Sequence, residues 1–186
     1  MSFRAKRGIS PPQKQQGATW LKYHHAARRR GAAPTDRQIK GYLAGAFVLG
    51  GFNELRAADG QPLIADARDD NGDLILYLLV RGLDKSRVRG TLRLTYRRMG
   101  QNLAPGAIEY VQLYNFASGS YPYGTFTTIL SASPPTGSYQ TVTVTLPGDP
   151  AQYISYEGDL FVRILIPDAG ANGQLWIDQM LFEWEE

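Results

Sequence analysis

Asp69, Asn71 and Asp73 set oxygen ligands at alternate positions of one short segment, Asp69-Asp70-Asn71-Gly72-Asp73. That is how a calcium loop begins, with carboxylate and amide oxygens surrounding a hard cation. Leu74 stands where an EF-hand needs glycine, and no Glu follows at the twelfth position, so an EF-hand is excluded. Asn71-Gly72 is also the strongest short hairpin signal, and a hairpin flanked by solvated acids accounts for the same residues. The expectation is no cofactor, with a structural calcium on Asp69, Asn71 and Asp73 as the metal candidate.

Catalytic chemistry finds little to work with. His24 and His25 are the only histidines, and adjacent residues point in different directions on a helix or a strand. Without cysteine there is no thiolate zinc site, iron–sulfur cluster, disulfide or cysteine nucleophile. A Gly-x-Ser-x-Gly nucleophile elbow is also missing. Glu109, Asp159, Asp168 and Asp178 are acids that could pair in space as glycosidase carboxylates do. Asp178 lies in a core-like strand segment and reads better as a hydrogen-bonded structural acid. The expectation is a protein that is not an enzyme.

Binding chemistry is richer. Residues 1–40 hold ten Lys and Arg against the single acid Asp36, a net +9, while the remainder of the chain carries a net −6. The overall +3 therefore belongs to an arm and not to the body. A basic, nearly acid-free arm is the pattern of an interaction tail. Arg4, Lys6, Arg7, Lys14, Trp20, Lys22, Arg28, Arg29 and Arg30 are its partner-binding candidates. Arginine forks onto the carboxylates of a protein surface. The same cations can neutralise phosphates, with Trp20 and Tyr23 stacking on bases. No nucleic-acid-reading motif is present, so the protein partner is favoured.

Two further sets lie in the body. Arg87, Arg89, Arg93 and Arg97 share strand parity and can line one sheet face. Tyr110, Tyr114, Tyr121, Tyr123, Tyr139, Tyr153 and Tyr156 can form a sugar-stacking patch, or can be half-buried tyrosines of a sandwich.

The elements that position these residues change character along the chain. Thr19 to Arg30 has an N-cap candidate in Thr19, arginines suited to a last turn, and Gly31 to follow it, which predicts a short helix. Thr35-Asp36-Arg37-Gln38 has capping-box spacing and predicts a second helix over 36–47, weakened by Gly41 and Gly45. From Phe52 the period becomes two. Strands are predicted at Leu63–Ala67, Leu74–Val80, Thr91–Arg97, Ile108–Phe116, Gly124–Leu130, Tyr139–Leu146, Leu160–Ile166 and Leu175–Trp184. Leu92, Leu94 and Tyr96 point inward, as do Val142, Val144 and Leu146. Many short strands without intervening helices mean an antiparallel sandwich or barrel. No apolar run is long enough for a membrane-spanning helix.

Three segments of the body carry a family resemblance. They are Leu113-Tyr114-Asn115-Phe116-Ala117-Ser118-Gly119-Ser120-Tyr121, then Tyr153-Ile154 with Glu157-Gly158-Asp159-Leu160-Phe161-Val162-Arg163-Ile164, then Leu175-Trp176-Ile177-Asp178-Gln179-Met180-Leu181. In this order they resemble the galactose-binding-like jelly rolls, a β-sandwich shared by many carbohydrate-binding modules and by tailed-phage virion proteins. The resemblance spans roughly residues 60–184. Tyr121 stands where the family pattern often has Trp, and no sugar-binding triad maps onto the chain, so lectin activity is not carried over. The resemblance implies an all-β, antiparallel jelly-roll sandwich of about eight strands.

The expected organisation is a basic arm over residues 1–51, with one or two short helices, and a jelly-roll sandwich over 52–186. The leading expectation for function is a non-enzymatic structural protein of a tailed-bacteriophage virion, either head decoration or a connector or fibre-anchoring subunit. It would be assembled in the host cytoplasm, form a homo-oligomer, and attach to capsid or tail subunits through the arm. The alternative is a carbohydrate-binding module of a host-adhesion apparatus, with a glycan as partner. The third is a nucleic-acid-associated assembly protein.

Overall fold

Strands in which every second residue is apolar bury one face and need a second sheet to bury it against. A computed structural model of the chain describes residues 29–33, 36–38, 47–49, 53–67, 72–118 and 124–185, and it shows that second sheet. The strands are β1 (Arg29–Ala32), β2 (Asp36–Gln38), β3 (Phe47–Leu49), β4 (Leu63–Asp66), β5 (Leu74–Val80), β6 (Arg89–Gln101), β7 (Glu109–Asn115), β8 (Thr125–Ala132), β9 (Gln140–Thr145), β10 (Leu160–Ile166) and β11 (Gln174–Glu185).

The first sheet runs β3–β4–β11–β6–β9, and β1 also pairs with β11. The second runs β2–β5–β10–β7–β8. All these pairings are antiparallel. The core lies between the sheets. Leu94, Leu175 and Phe182 from the first sheet meet Leu76, Leu113 and Ile164 from the second in one buried cluster. The expected antiparallel sandwich is the observed fold, and all eight predicted body strands are present as β4 to β11. The expected inward set Leu92, Leu94 and Tyr96 is fully buried.

One irregularity sets what β11 can do. Its register against β6 shifts between Ile177 and Gln179. An extra residue resets the two-residue alternation. Ile177 points inward before the shift, and Met180, Phe182 and Trp184 point inward after it. Asp178, at the shift, faces away from the core.

The two predicted helices are corrected where the structure describes them. Arg29 and Arg30, expected in a last helical turn, belong to β1 and pair with Glu185 and Trp184. Asp36–Gln38, expected to begin the second helix, is β2 against β5, and Phe47–Leu49 at its far end is β3 against β4. Residues 19–28 and 39–46 lie outside the described residues. The physical reason is that isolated helices of this length are marginal, with local caps adding about 1 kcal/mol each, while open sheet edges offer whole ladders of hydrogen bonds. The hairpin reading of Asn71-Gly72 also gives way. β4 and β5, on either side of it, belong to different sheets and do not pair as a hairpin.

Candidate functional site

Two of the four acids considered for catalysis, Glu109 and Asp178, are engaged in structure, whereas Asp159 lines a cleft and Asp168 is exposed. Glu109, at the start of β7, is fully buried. Its Oε1 accepts a hydrogen bond from the Tyr96 hydroxyl. Its Oε2 accepts from Arg98 Nε at 3.1 Å. Arg98, itself only 1% exposed, also donates through Nη1 to Gln140 Oε1 at 3.3 Å. Burial outweighs these donors and pushes the Glu109 carboxyl above its ordinary value. Burial, and then the neighbouring Glu109, holds the Tyr96 hydroxyl well above its own, so it stays a donor. Asp178 is likewise buried. Its Oδ1 accepts from the backbone N–H of Gly60 at 2.8 Å, and its Oδ2 lies 2.7 Å from Arg97 Nη1, close but not aligned as a directed hydrogen bond.

The outer face of the second sheet is different in kind. An outer face turned to water ordinarily reads polar. Here three rows of paired residues cross it. Tyr77 pairs with Arg163, Arg163 with Gln112, and Gln112 with Thr128. On one side lie Leu79 opposite Phe161 and Tyr114 opposite Phe126. On the other, Ile75, Leu165, Tyr110 and Ser131 follow one another.

The rings are in mutual contact. Tyr114 meets Phe116 at 4.8 Å and Phe126 at 5.4 Å between centroids, both edge-to-face. Phe161 stands 6.0 Å from Phe116 and 6.4 Å from Tyr114. Tyr77 and Phe126 come to 6.2 Å although β10 and β7 lie between their strands. At roughly 4.8 Å per strand, a flat sheet separates those strands by about 14 Å. Both rings therefore lean inward over the central row.

Arg163 is the charged centre of this face. Its guanidinium carbon lies 4.0 Å from the Phe126 ring centroid. Its Nε donates to Gln112 Oε1 at 2.6 Å, and Gln112 Nε2 donates to Thr128 Oγ1 at 3.0 Å. The face continues into a cleft of about 520 Å³ lined by Phe116 and Phe161 together with Lys85, Tyr156, Glu157 and Asp159. Tyr156 is 98% exposed, a large ring offered to solvent. Gly158 makes the turn below it. Its φ is +84°, and a Cβ there would meet the Leu83 carbonyl oxygen at 2.3 Å. A larger polar cleft beside Asp66, Asn102 and Asn172 has no aromatic ring in its lining.

The residues expected from sequence are distributed unevenly. Arg4, Lys6, Arg7, Lys14, Trp20, Lys22 and Arg28 lie outside the described residues, as do His24 and His25. Arg29 and Arg30 are placed in β1 by their backbone. Asp69 and Asn71 also lie outside. Asp73 Oδ1 accepts from the Asp168 N–H at 2.8 Å. Among the described residues no three acids or histidines gather as a metal-ligand cluster.

The tyrosine set divides. Tyr110 and Tyr114 are on the aromatic face, Tyr156 is at the cleft, and Tyr153 is buried in the core. Tyr139 stands on the first sheet's side with Arg97 at 4.9 Å over its ring. Tyr121 and Tyr123 lie outside. Of the arginine face, Arg93 and Arg97 project outward from β6, while Arg87 pairs with Asp84 at 3.2 Å in the preceding loop. Sequence reasoning missed Phe126, Phe161, Arg163 and Gln112. The signal was present in β10, where the residues between the core positions read Phe161, Arg163, Leu165, and in β7, where they read Tyr110, Gln112, Tyr114.

These features define an antiparallel β-sandwich with one aromatic outer face. No protein-family model matches the chain, and no curated protein matches it. Solved structures do show likeness. One is the CBM22-1 xylan-binding domain of Xyn10C from Paenibacillus barcinonensis, at 11% identity and a TM-score of 0.47, covering 87% of this chain and 97% of that one. Another is a family 29 carbohydrate-binding module from Piromyces equi, at 10% identity and 0.45, covering 86% and 91%. A third is a mutant of a family 29 module complexed with mannohexaose, at 12% identity and 0.45, covering 84% and 92%. No residue of this chain takes a role from these likenesses.

Proposed function

We propose that the chain is a non-catalytic carbohydrate-binding protein that takes a glycan on the outer face of its second sheet. The observation that supports this is the aromatic face itself, with Tyr110, Tyr114 and Phe161 around the polar Arg163–Gln112–Thr128 row. Sugars are recognised by two kinds of group at once. Aromatic rings receive the C–H faces of the pyranose, and a few fixed polar groups receive its hydroxyls. Gln112 and Arg163 are held by each other and by Thr128, so their orientation is set before a ligand arrives.

The test is affinity electrophoresis and calorimetry against xylan, mannan, cellulose oligomers and acidic polysaccharides. Binding by the native chain, weakened at least tenfold in Tyr114→Ala and unchanged in Tyr139→Ala on the other sheet, is the expected result. Equal losses in both variants, or binding untouched by Tyr114→Ala, would move the site elsewhere. A second reading, a virion structural protein held by its basic arm, has the charge split of the sequence as its supporting observation. Its test is removal of residues 1–28, which would abolish attachment to an acidic partner while leaving glycan binding intact.

A further inference from the structure

We infer that the ligand of this face is an acidic saccharide, with the carboxylate of a uronic acid residue taken by the outer edge of the Arg163 guanidinium. This inference rests on the carbohydrate-binding reading of the same face.

Arg163 carries five N–H donors in a planar fork. Gln112 occupies the one on Nε. The four on the two Nη nitrogens have no hydrogen-bond partner among the described residues, and the ion pairs of those residues leave Arg163 without a carboxylate. Arg97 and Arg98 show what this chain does with arginines that serve structure, since each is matched with a buried acid. Arg163 has instead a neutral amide and the face of Phe126, which fix its plane without neutralising it. A half-buried cation without a counter-charge is costly unless its partner arrives from outside.

The free edge also has a specific shape. Two parallel N–H groups match the two oxygens of a carboxylate, and charge-assisted pairs of this kind are roughly twice as strong as neutral ones. A hydroxyl of a neutral sugar fills only one of those directions. The rings around the fork suit a pyranose that bears its carboxylate on the ring edge. Tyr77 and Phe126 lean over Arg163, and Tyr110 and Tyr114 stand in the flanking rows. Glu157 and Asp159 line the cleft beyond Phe161 and not the Arg163 row.

The experiment compares each acidic oligosaccharide with its own methyl ester, which keeps the ring and removes the charge. Oligomers of galacturonate, glucuronate, mannuronate and guluronate are titrated by calorimetry into the full chain at low and high salt, beside xylohexaose, mannohexaose and cellohexaose. The expected result is one acid bound about tenfold or more tighter than its ester. That preference falls with salt, disappears in Arg163→Gln, and survives in part in Arg163→Lys, which keeps the charge without the fork. Thermal melting of the variants establishes that they fold, and the acid–ester comparison on the native chain stands independently of them. Neutral oligomers binding while no acid exceeds its ester would overturn the acidic ligand and leave the carbohydrate reading intact. No oligomer binding at all would overturn both.

Discussion

Tyr96 and Glu109 tie the two sheets together through the core. The Tyr96 hydroxyl, on β6 of the first sheet, donates to the carboxylate of Glu109, on β7 of the second. Arg98 stands two residues along β6 and completes the group from the same side. Such a triad fixes how the sheets face each other, because every member loses its partner if they slide.

Breaking the triad at one point should be severe. Glu109→Leu leaves Arg98 buried without its carboxylate, at a cost of about 3–5 kcal/mol. Tyr96→Phe removes one donor and costs about 1–3 kcal/mol. The double variant Glu109→Leu with Arg98→Met removes both charges, so its loss should be well below the sum of the two single losses. Urea denaturation measures all of these. Strict additivity would mean the charges do not act on each other.

Glu109 also gives stability a pH dependence of definite sign. Its folded carboxyl titrates above the ordinary value of 4.5 because it is buried. Between those values the native state keeps a proton that the unfolded chain has released. Stability from this group is therefore greatest below 4.5 and falls as pH rises through the folded value. Relative to Glu109→Gln, which cannot titrate, the native chain should lose stability with rising pH over that window. A difference that grows in the native chain's favour would reverse the assignment.

The triad also shows what was legible in the sequence. Leu92, Leu94 and Tyr96 marked the inward face of β6, and Arg98 has the same parity, so its burial followed from the alternation. Its partner could not be read, because Glu109 reaches it from the opposite sheet, and sheet pairing across the core leaves no trace in local spacing. The eight body strands were legible because short alternating, apolar or β-branched and aromatic runs stand between Gly- and Pro-containing breaks with no helical period among them. β2 and β3 were not, since their cap-like residues carry a local preference and the edges that recruit them lie at β5 and β4. The aromatic face needed strand order as well. Phe126 and Phe161 are 35 positions apart, and only the sequence β10–β7–β8 brings them to one surface.

The buried Asp178 and the partly exposed Arg97 form a second pair with a different consequence. Asp178 holds the Gly60 backbone, so it anchors the loop ahead of β4 as well as pairing with Arg97. Arg97→Met should cost about 3–5 kcal/mol by stranding a buried carboxylate. Asp178→Asn, which keeps an acceptor for Gly60, should cost less. It should also bring the Tyr139 hydroxyl down toward its ordinary pKa, since burial first and the Asp178 charge second hold it up. Spectrophotometric titration of the tyrosines reads that change, and an unmoved Tyr139 would show that burial acts alone.

The cleft separates binding from stability. Tyr156 is 98% exposed and supports nothing beneath it. Tyr156→Ala should therefore change unfolding free energy by less than about 0.5 kcal/mol. Its ring faces solvent beside Phe116 and Phe161, and under the proposed glycan-binding function it would stack on a sugar at the end of the oligosaccharide. Loss of that stack, worth about 0.5–1.5 kcal/mol, should weaken a hexasaccharide about two- to tenfold and leave a disaccharide centred on Arg163 unaffected. Gly158→Ala acts in the opposite way. Its positive φ and the Leu83 carbonyl at 2.3 Å from any Cβ mean that the turn must move, costing about 2 kcal/mol or more. Calorimetry with long and short ligands, read beside urea denaturation, distinguishes the two. If Tyr156→Ala weakens both ligands equally, the cleft is the centre of the site and Arg163 its margin.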